Sequence, residues 1–276
     1  MTAQVAGEPL TLALQRVPRE RIDMSAVTPS ALAHASVRDV PGIELRAGNR
    51  RMRIADIFDV SGEDTSHVAI RNSCDRLIRL GAGMRFGRMA VDGDTGTYAG
   101  AAMTGGTLVI HGNAGAFAAT GMAGGLVHVR GNAGDFLGAA TAGEAAGMRG
   151  GTVVVDGSAG DRVGDRMRRG MVLIGGDVAD CCAARMIAGT IVVRGRAGRS
   201  TGVAMRRGTL LVARVPVLPA TFTDGGPPPR TWLRLLQRHL RDSGGPLASF
   251  AQITDDVRRF VGDRAYGGLG EILVAH

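Results

Sequence analysis

Lysine is absent from this 276-residue chain: all 33 basic residues are arginine, set against 25 acids for a net charge of +8. Exclusion of one basic residue type throughout reads as a compositional bias of the coding sequence, so the high pI does not by itself signal nucleic acid. Without lysine a Walker-type phosphate loop is excluded. Ten aromatic residues are too few for the stacking platforms of single-strand binders. The three cysteines, Cys74, Cys181 and Cys182, form no C-x-x-C, and a vicinal pair does not easily bridge itself. This usage excludes a disulfide framework and fits a reducing, cytoplasmic compartment. No stretch of eighteen apolar residues occurs, and the first residues show no basic leader before an apolar run. Neither a membrane span nor a secretory signal is expected.

Glycine, by contrast, is abundant, at 43 residues, and it alternates with Val, Ile, Leu and Met rather than with proline, of which there are ten. Disorder and collagen are both poor readings of that pattern. Gly93, Gly112 and Gly131 lie nineteen apart, and Gly157, Gly176 and Gly195 resume the spacing after a step of 26. Met84, Met103, Met122, Met148, Met167, Met186 and Met205 keep the same intervals, as do Gly87, Gly106, Gly125, Gly151, Gly170, Gly189 and Gly208. The shared unit is G-x-A-G-x-x-x-G-x-x-M-x-G-G-T-φ-V-V-x, with φ aliphatic.

A unit this short cannot bury an apolar face alone, so it must stack. Met89, Leu108, Val127, Val153, Val172, Ile191 and Leu210 form one column, and Val91, Ile110, Val129, Val155, Ile174, Val193 and Val212 another two residues on. Both should point inward. The fold expected is all-β, a right-handed parallel β-helix (β-solenoid) of about seven nineteen-residue coils. Glycines take the corners where a Cβ would demand a forbidden φ or strike the next coil; the column Gly100, Ala119, Gly138, Gly164, Ala183, Gly202 admits nothing larger than Ala. Between the inward columns, Ala90, Val109, His128, Val154, Leu173, Val192 and Leu211 should face out, yet they are almost all apolar. Either a terminal segment of this chain or a partner subunit should cover them. Tyr98, Phe117 and Phe136 form an aromatic ladder that reads as packing and gives way to Arg162, Cys181 and Ser200. The long step is a seven-residue insertion, Thr141 to Gly147, expected as a surface loop.

Three regions follow: residues 1–65 as an N-terminal cap segment, 66–215 as the solenoid, and 216–276 as a helix-containing C-terminal extension. The first holds an expected strand at Leu10–Leu14 and a short helix opened by Thr28-Pro29. In the last, Trp232, Leu235, Leu236 and Leu240 recur at helical spacing. Both end regions are expected to shield the open edges of the coil stack.

Catalytic chemistry is hard to find. "GAGMRF" at 81–86 fails the dinucleotide fingerprint at its third glycine, and the histidines at 34, 67, 111, 128, 239 and 276 show no metal-binding spacing. Asp92, His111, Arg130, Asp156, Gly175 and Arg194 read as a solvated outward row rather than as catalytic groups. Cys181-Cys182 reads as small-residue packing, with a reactive thiol as the alternative. No catalytic residue and no metal ligand is assigned.

The stretches "GAGMRFGRMAVDGDTG", "GMRGGTVVVDGSAGDRVGDRMRRGMVLIGGDVAD" and "MIAGTIVVRGRAGRSTGVAMRRGTL" resemble the C subunit of formylmethanofuran dehydrogenase, and more closely its counterpart in the bacterial formyltransferase/hydrolase complex. The resemblance is strong over residues 68–214 and extends more weakly to "RIADIFDVSGE" and "VRRFVGDRAYGGLGEILV". The same repeat closes the glutamate synthase large subunit, so the repeat alone names a fold and not a reaction. The resemblance implies a non-catalytic scaffold in one-carbon metabolism (formaldehyde oxidation, methylotrophy). The complex passes formyl groups from tetrahydromethanopterin to a methanofuran-type carrier and releases formate. It also implies a hetero-oligomer with a hydrolase A subunit holding zinc, a B-type subunit and a formyltransferase D subunit, and no cofactor bound by this chain. The alternatives are the C subunit of a molybdenum or tungsten formylmethanofuran dehydrogenase, or a glutamate-synthase-like structural domain. Nucleic-acid and membrane partners are not expected.

Charge is segregated along the repeat. Arg88 to Asp161 holds three arginines against six acids, a balance of −3, whereas Arg162 to Arg214 holds eleven against three, a balance of +8. Arg168 with Arg169, and Arg206 with Arg207, should share one corner two coils apart, about 9–10 Å. Such a ladder suits carboxylates, because a guanidinium binds them bidentately. Given the resemblance, the ligand expected is the glutamate-rich tail of the carrier, and the competing reading is an acidic partner subunit.

Overall fold

The computed structural model describes residues 7–215 and 217–275; residues 1–6 and Pro216, which belong to the terminal regions above, and His276, the last of the histidines, lie outside them. Seven strands, Arg88–Gly93, Thr104–Ile110, Gly124–Val129, Arg149–Val155, Arg169–Ile174, Thr190–Arg196 and Thr209–Arg214, pair in parallel, each with the next, and define coils one to seven. Register follows the sequence columns: Leu108 faces Val127, which faces Val153, and Ile110 faces Val129, which faces Val155. Both inward columns are buried, and the repeating methionines are wholly so. A second contact line runs through single parallel bridges, Thr95 to Ala114 to Ala133 to Ala159 to Val178 to Ala197. The fold is the β-solenoid that the period requires.

The stack continues past the repeat at both ends. Pro9–Leu14 and Asp64–Ser73 extend it in parallel below coil one, with Phe58–Ser61 as an antiparallel edge. Gly270–Ala275 adds a parallel strand after coil seven, and Val257–Gly262 then Thr223–Asp224 close that end antiparallel. Among the described residues these strands make one thirteen-stranded sheet. A separate four-stranded sheet joins Ile22–Asp23, Glu44–Ala47 and Arg50–Arg53 of the N-terminal region to Leu77–Ile78. Helix α1 (Pro29–Leu32) starts where Thr28-Pro29 places it, with the Thr28 hydroxyl accepting the Ala31 amide at 3.2 Å.

The apolar outward column is covered by the chain's own C-terminal segment. Val154, Leu173, Val192 and Leu211 are buried against Leu233, Leu236 and Leu240 of helix α2 (Arg230–Ser243), with Leu247 of α3 (Gly245–Ala248) and Phe250. One expectation needs correction. The buried stripe of α2 is Leu233, Leu236, Leu240; Leu235 is 62% exposed and Trp232 half-buried, because the helix presents the face one residue round from that read by spacing. The helix covers a side face of the solenoid, while strands of the same C-terminal region close the end of the coil stack. Ala90, Val109 and His128, on coils one to three, stay half-buried.

The insertion is a loop that leaves the register intact. The Ala140 amide still donates to Asp165 O at 3.0 Å and the Met148 amide to Gly138 O at 2.8 Å, so the coil resumes where it left off. Ala142 to Ala145 are exposed.

At Gly125, φ is +88°, and a Cβ would lie 2.7 Å from Gly106 O of the preceding coil. Gly125→Val is expected to destabilise the chain by about 2–5 kcal/mol, adding backbone strain to overpacking. Unchanged thermal melting would show the stacking to be looser than described. A second prediction concerns Asp263, 2% exposed, whose carboxylate accepts the amides of Ala204 at 2.9 Å and Ala265 at 3.1 Å. Burial pushes its pKa up, but the nearby Thr221 hydroxyl and these two amides outweigh that and hold it below the ordinary 3.8. A carboxylate whose folded pKa lies below its unfolded value adds stability present above the unfolded value and lost as pH falls through the folded one. Asp263→Asn should therefore lower the melting temperature at pH 7 and flatten its fall below about pH 4. Thermal scans from neutral to acid pH read both effects; parallel curves for the two proteins would contradict the assignment.

Candidate functional site: the arginine-rich corner

Each coil leaves its turn through a buried methionine, and the two residues after it lead toward the next strand along the outside of the corner. The Arg149 amide donates to Met122 O, that of Arg168 to Met148 O at 2.9 Å and that of Arg206 to Met186 O at 2.8 Å. One outward column is thereby built from Arg149, Arg168, Ile187 and Arg206, with Arg169 and Arg207 beside it. Arg149 and Arg169 are register partners on adjacent strands. Arg168, Arg169, Arg206 and Arg207 are all exposed. No carboxylate lies within ion-pair distance of any of the four among the described residues. The structure thus brings the sequence-predicted arginines to one corner, with Ile187 of coil six between the two pairs.

Further arginines sit on the turn just before this column. Arg166 (φ +56°) and Arg185 (φ +53°) occupy left-handed positions. Asp165, 3% exposed, accepts from Arg185 Nε at 2.8 Å and from its Nη2, and lies 3.8 Å from Arg162 Nη1. Hydrogen bonding to Asp165 holds the Arg185 guanidinium above its ordinary pKa against partial desolvation. Arg166 Nη1 donates to Glu144 O at 3.0 Å and so ties the inserted loop to coil four.

The same turn carries the aromatic ladder. Tyr98 and Phe117 stack at 5.1 Å and Phe117 and Phe136 at 4.6 Å, nearly parallel. Arginines close both ends: Arg79 lies 5.6 Å from the Tyr98 ring centre and Arg162 5.9 Å from that of Phe136. All three aromatics have φ near +60°, a conformation that costs about 1 kcal/mol each and is held here by the stack. The inserted loop lies alongside. It bounds a cleft of about 360 Å³ with Tyr98, Thr120 and Arg149, and one of about 320 Å³ with Phe117, Phe136 and Arg185.

Most of the outward row read as solvated charge is exposed, but its last member, Arg194, lies 4.6 Å from the Phe250 ring centre and donates to Ser249 O. Arg71 pairs with Asp92, His111 Nε2 lies 3.9 Å from Asp92 and His128 Nε2 3.0 Å from Asp156, so the histidines serve their own coil neighbours. Cys182 is buried, and desolvation pushes its thiol up to about 12, which leaves it inert; Cys181 is half-exposed at the ladder position. Two polar ladders had no signal beyond small polar residues in a column. The Asp94 carboxylate accepts the Asn113 amide, the Asn113 side chain that of Asn132, and the Asn132 side chain that of Ser158; Asp135, Asp161 and Asp180 repeat the pattern up to Arg199. Among the described residues no helix is long and apolar enough to cross a membrane.

No family model matches the chain. It is 53% identical over 264 residues to the C subunit of the formyltransferase/hydrolase complex Fhc of Methylorubrum extorquens, covering 96% of this chain and 98% of that protein. The C subunit of the tungsten-containing formylmethanofuran dehydrogenase 2 of Methanococcus maripaludis is 34% identical, over only 79 residues and 28% of this chain. Among solved structures, a chain in the crystal structure of the formyltransferase/hydrolase complex (FhcABCD) from Methylorubrum extorquens with methylofuran matches at TM-score 0.89 and 39% identity, over 96% of this chain and 99% of that one. With sequence and fold both matching along nearly the whole length, the chain belongs to the family of the C subunits of formyltransferase/hydrolase complexes.

Proposed function

We propose that this chain is the non-catalytic scaffold of a formyltransferase/hydrolase complex. That complex moves formyl groups from tetrahydromethanopterin to a methanofuran-type carrier and releases formate in one-carbon metabolism. The observation that carries the reading is the match along nearly the whole chain to a C subunit of such a complex and to a chain within its crystal structure, against a match covering 28% of the chain for the tungsten enzyme. The partners are a hydrolase A subunit, a B-type subunit and a formyltransferase D subunit, with zinc chemistry residing in the hydrolase. A rigid rod suits a scaffold, because its side chains stand on hydrogen-bonded coils and sites on separate partners keep a fixed separation.

Within that assembly, Arg168, Arg169, Arg206 and Arg207 hold or steer the carrier's glutamate-rich tail. Exposed guanidiniums without a carboxylate partner, repeated along one corner, fit a polycarboxylate chain by charge and spacing. An acidic surface of a partner subunit would fit the same corner, and one experiment separates the two. The four arginines are changed to Gln in the co-expressed complex. Tail binding predicts an intact complex with a Michaelis constant for the carrier raised roughly tenfold at low salt and a weakened salt dependence. An unchanged Michaelis constant would exclude tail binding, and loss of partner subunits on purification would assign the corner to docking. A chain that captures none of the three partners on co-expression would overturn the scaffold reading itself.

A further inference from the structure

A second basic surface lies far along the chain from that corner, in the N-terminal sheet. The strand Arg50–Arg53, sequence RRMR, is outermost in the four-stranded sheet: it pairs antiparallel with Glu44–Ala47 on one side, and no strand occupies its other side among the described residues. In an antiparallel pair, alternate residues direct their main-chain N–H and C=O away from the partner, so a free edge offers a row of unused donors and acceptors. The Arg53 amide is taken by its own Asp56 carboxylate at 2.7 Å, which ends the open edge there.

Beside this edge lies a groove of about 700 Å³ walled by Arg16, Arg19, Arg50 and Arg51, with Ile22 and Met52 among its apolar lining. Glu20 is its one acid. Arg51 is shared with Glu44 at 2.9 Å, whereas Arg16, Arg19 and Arg50 have no carboxylate within ion-pair distance among the described residues. Val17, also in the lining, is 69% exposed.

We propose that this edge and groove bind an extended acidic segment of a partner protein, which adds a strand alongside Arg50–Arg53. Its carboxylates would meet the guanidiniums while apolar side chains rest on the half-buried Met52 and the exposed Val17. Charge complementarity selects this occupant. A second copy of the chain is disfavoured, because edge-to-edge pairing would set RRMR against RRMR. A lone small anion would use the guanidiniums but neither the strand edge nor the apolar lining. Strand addition uses all three: main-chain hydrogen bonds give affinity, and alternating side chains give selection. None of this depends on which complex the chain serves.

The test uses the full-length chain and a fluorescent eight-residue peptide of alternating Glu and Val. Binding is expected to weaken roughly tenfold or more in the Arg50→Glu variant and in Arg16→Glu/Arg19→Glu, a change of about 1.4 kcal/mol per decade, with melting unchanged because these three side chains are exposed and hold no ion pair among the described residues. The peptide N-methylated at alternate amides should lose a comparable factor, and hydrogen exchange at the Arg51 amide should slow on binding of the parent peptide. Equal binding of the N-methylated peptide, or of poly-L-glutamate at matched charge, would reduce the surface to diffuse attraction and overturn strand addition. Binding indifferent to both charge reversals would place the peptide elsewhere and overturn the proposal as well.

Discussion

Main-chain hydrogen bonds between successive coils, repeated around the whole cross-section, fix the coil spacing at the strand-to-strand distance of about 4.8 Å. They are not confined to the sheet: the Thr95 amide donates to Asn113 O at 2.8 Å, that of Gly115 to Thr95 O at 3.0 Å and that of Tyr98 to Ala116 O at 3.0 Å. Everything else is subordinate to that spacing. Glycine occupies the corners because at this separation a Cβ at Gly125 or Gly106 would strike the carbonyl of the coil before it. Methionine fills the inner corner because an unbranched thioether adapts to what each coil leaves. At three of the left-handed turn positions that are not glycine, Tyr98, Phe117 and Phe136, aromatic side chains stack and arginines seal the ends.

Because the spacing is uniform, a residue type placed once per coil becomes a line on the surface. The polar lines of Asp94, Asn113, Asn132 and Ser158, and of Asp135, Asp161 and Asp180, turn inward on themselves, each side chain satisfying an amide one coil on. The arginine lines have no such internal use. Arg185 is pinned by buried Asp165, but Arg168, Arg169, Arg206 and Arg207 stand free in solvent. A fold that can satisfy its polar groups along a column leaves these four guanidiniums facing solvent.

The period makes the core legible from sequence, since a strict nineteen-residue repeat can bury Leu108, Val127 and Val153 only by stacking them. The loop at Thr141 to Gly147 is legible for the same reason: it interrupts the count without changing the columns. The buried face of helix α2 is not, because three leucines and a tryptophan in one turn and a half leave helical spacing ambiguous until the sheet beneath selects Leu233, Leu236 and Leu240. The outward apolar column announces that something covers it but carries no information on how far the cover reaches, and α2 stops short of Val109 and His128. At the candidate corner the clustering of the arginines follows from the period. The buried Asp165 that positions Arg185, and the arginine caps on the aromatic ladder, do not, because each depends on where a long side chain goes after its Cα is fixed.

The central claim is that the nineteen-residue coil is the unit of stability and register. Removing one whole coil that lies outside the cover of α2, Met103 to Gly121, joins Ala102 to Met122 and sets Asp94 beneath Asn132 and Tyr98 beneath Phe136. Circular dichroism with thermal melting on this deletion, and on one of eighteen residues from Met103 to Thr120, measures the claim directly. The nineteen-residue deletion is predicted to fold and melt cooperatively, while the eighteen-residue deletion, which turns every inward side chain of one coil outward or breaks its corner, is predicted not to. Equal folding of the two, or failure of the whole-coil deletion alone, would contradict the claim.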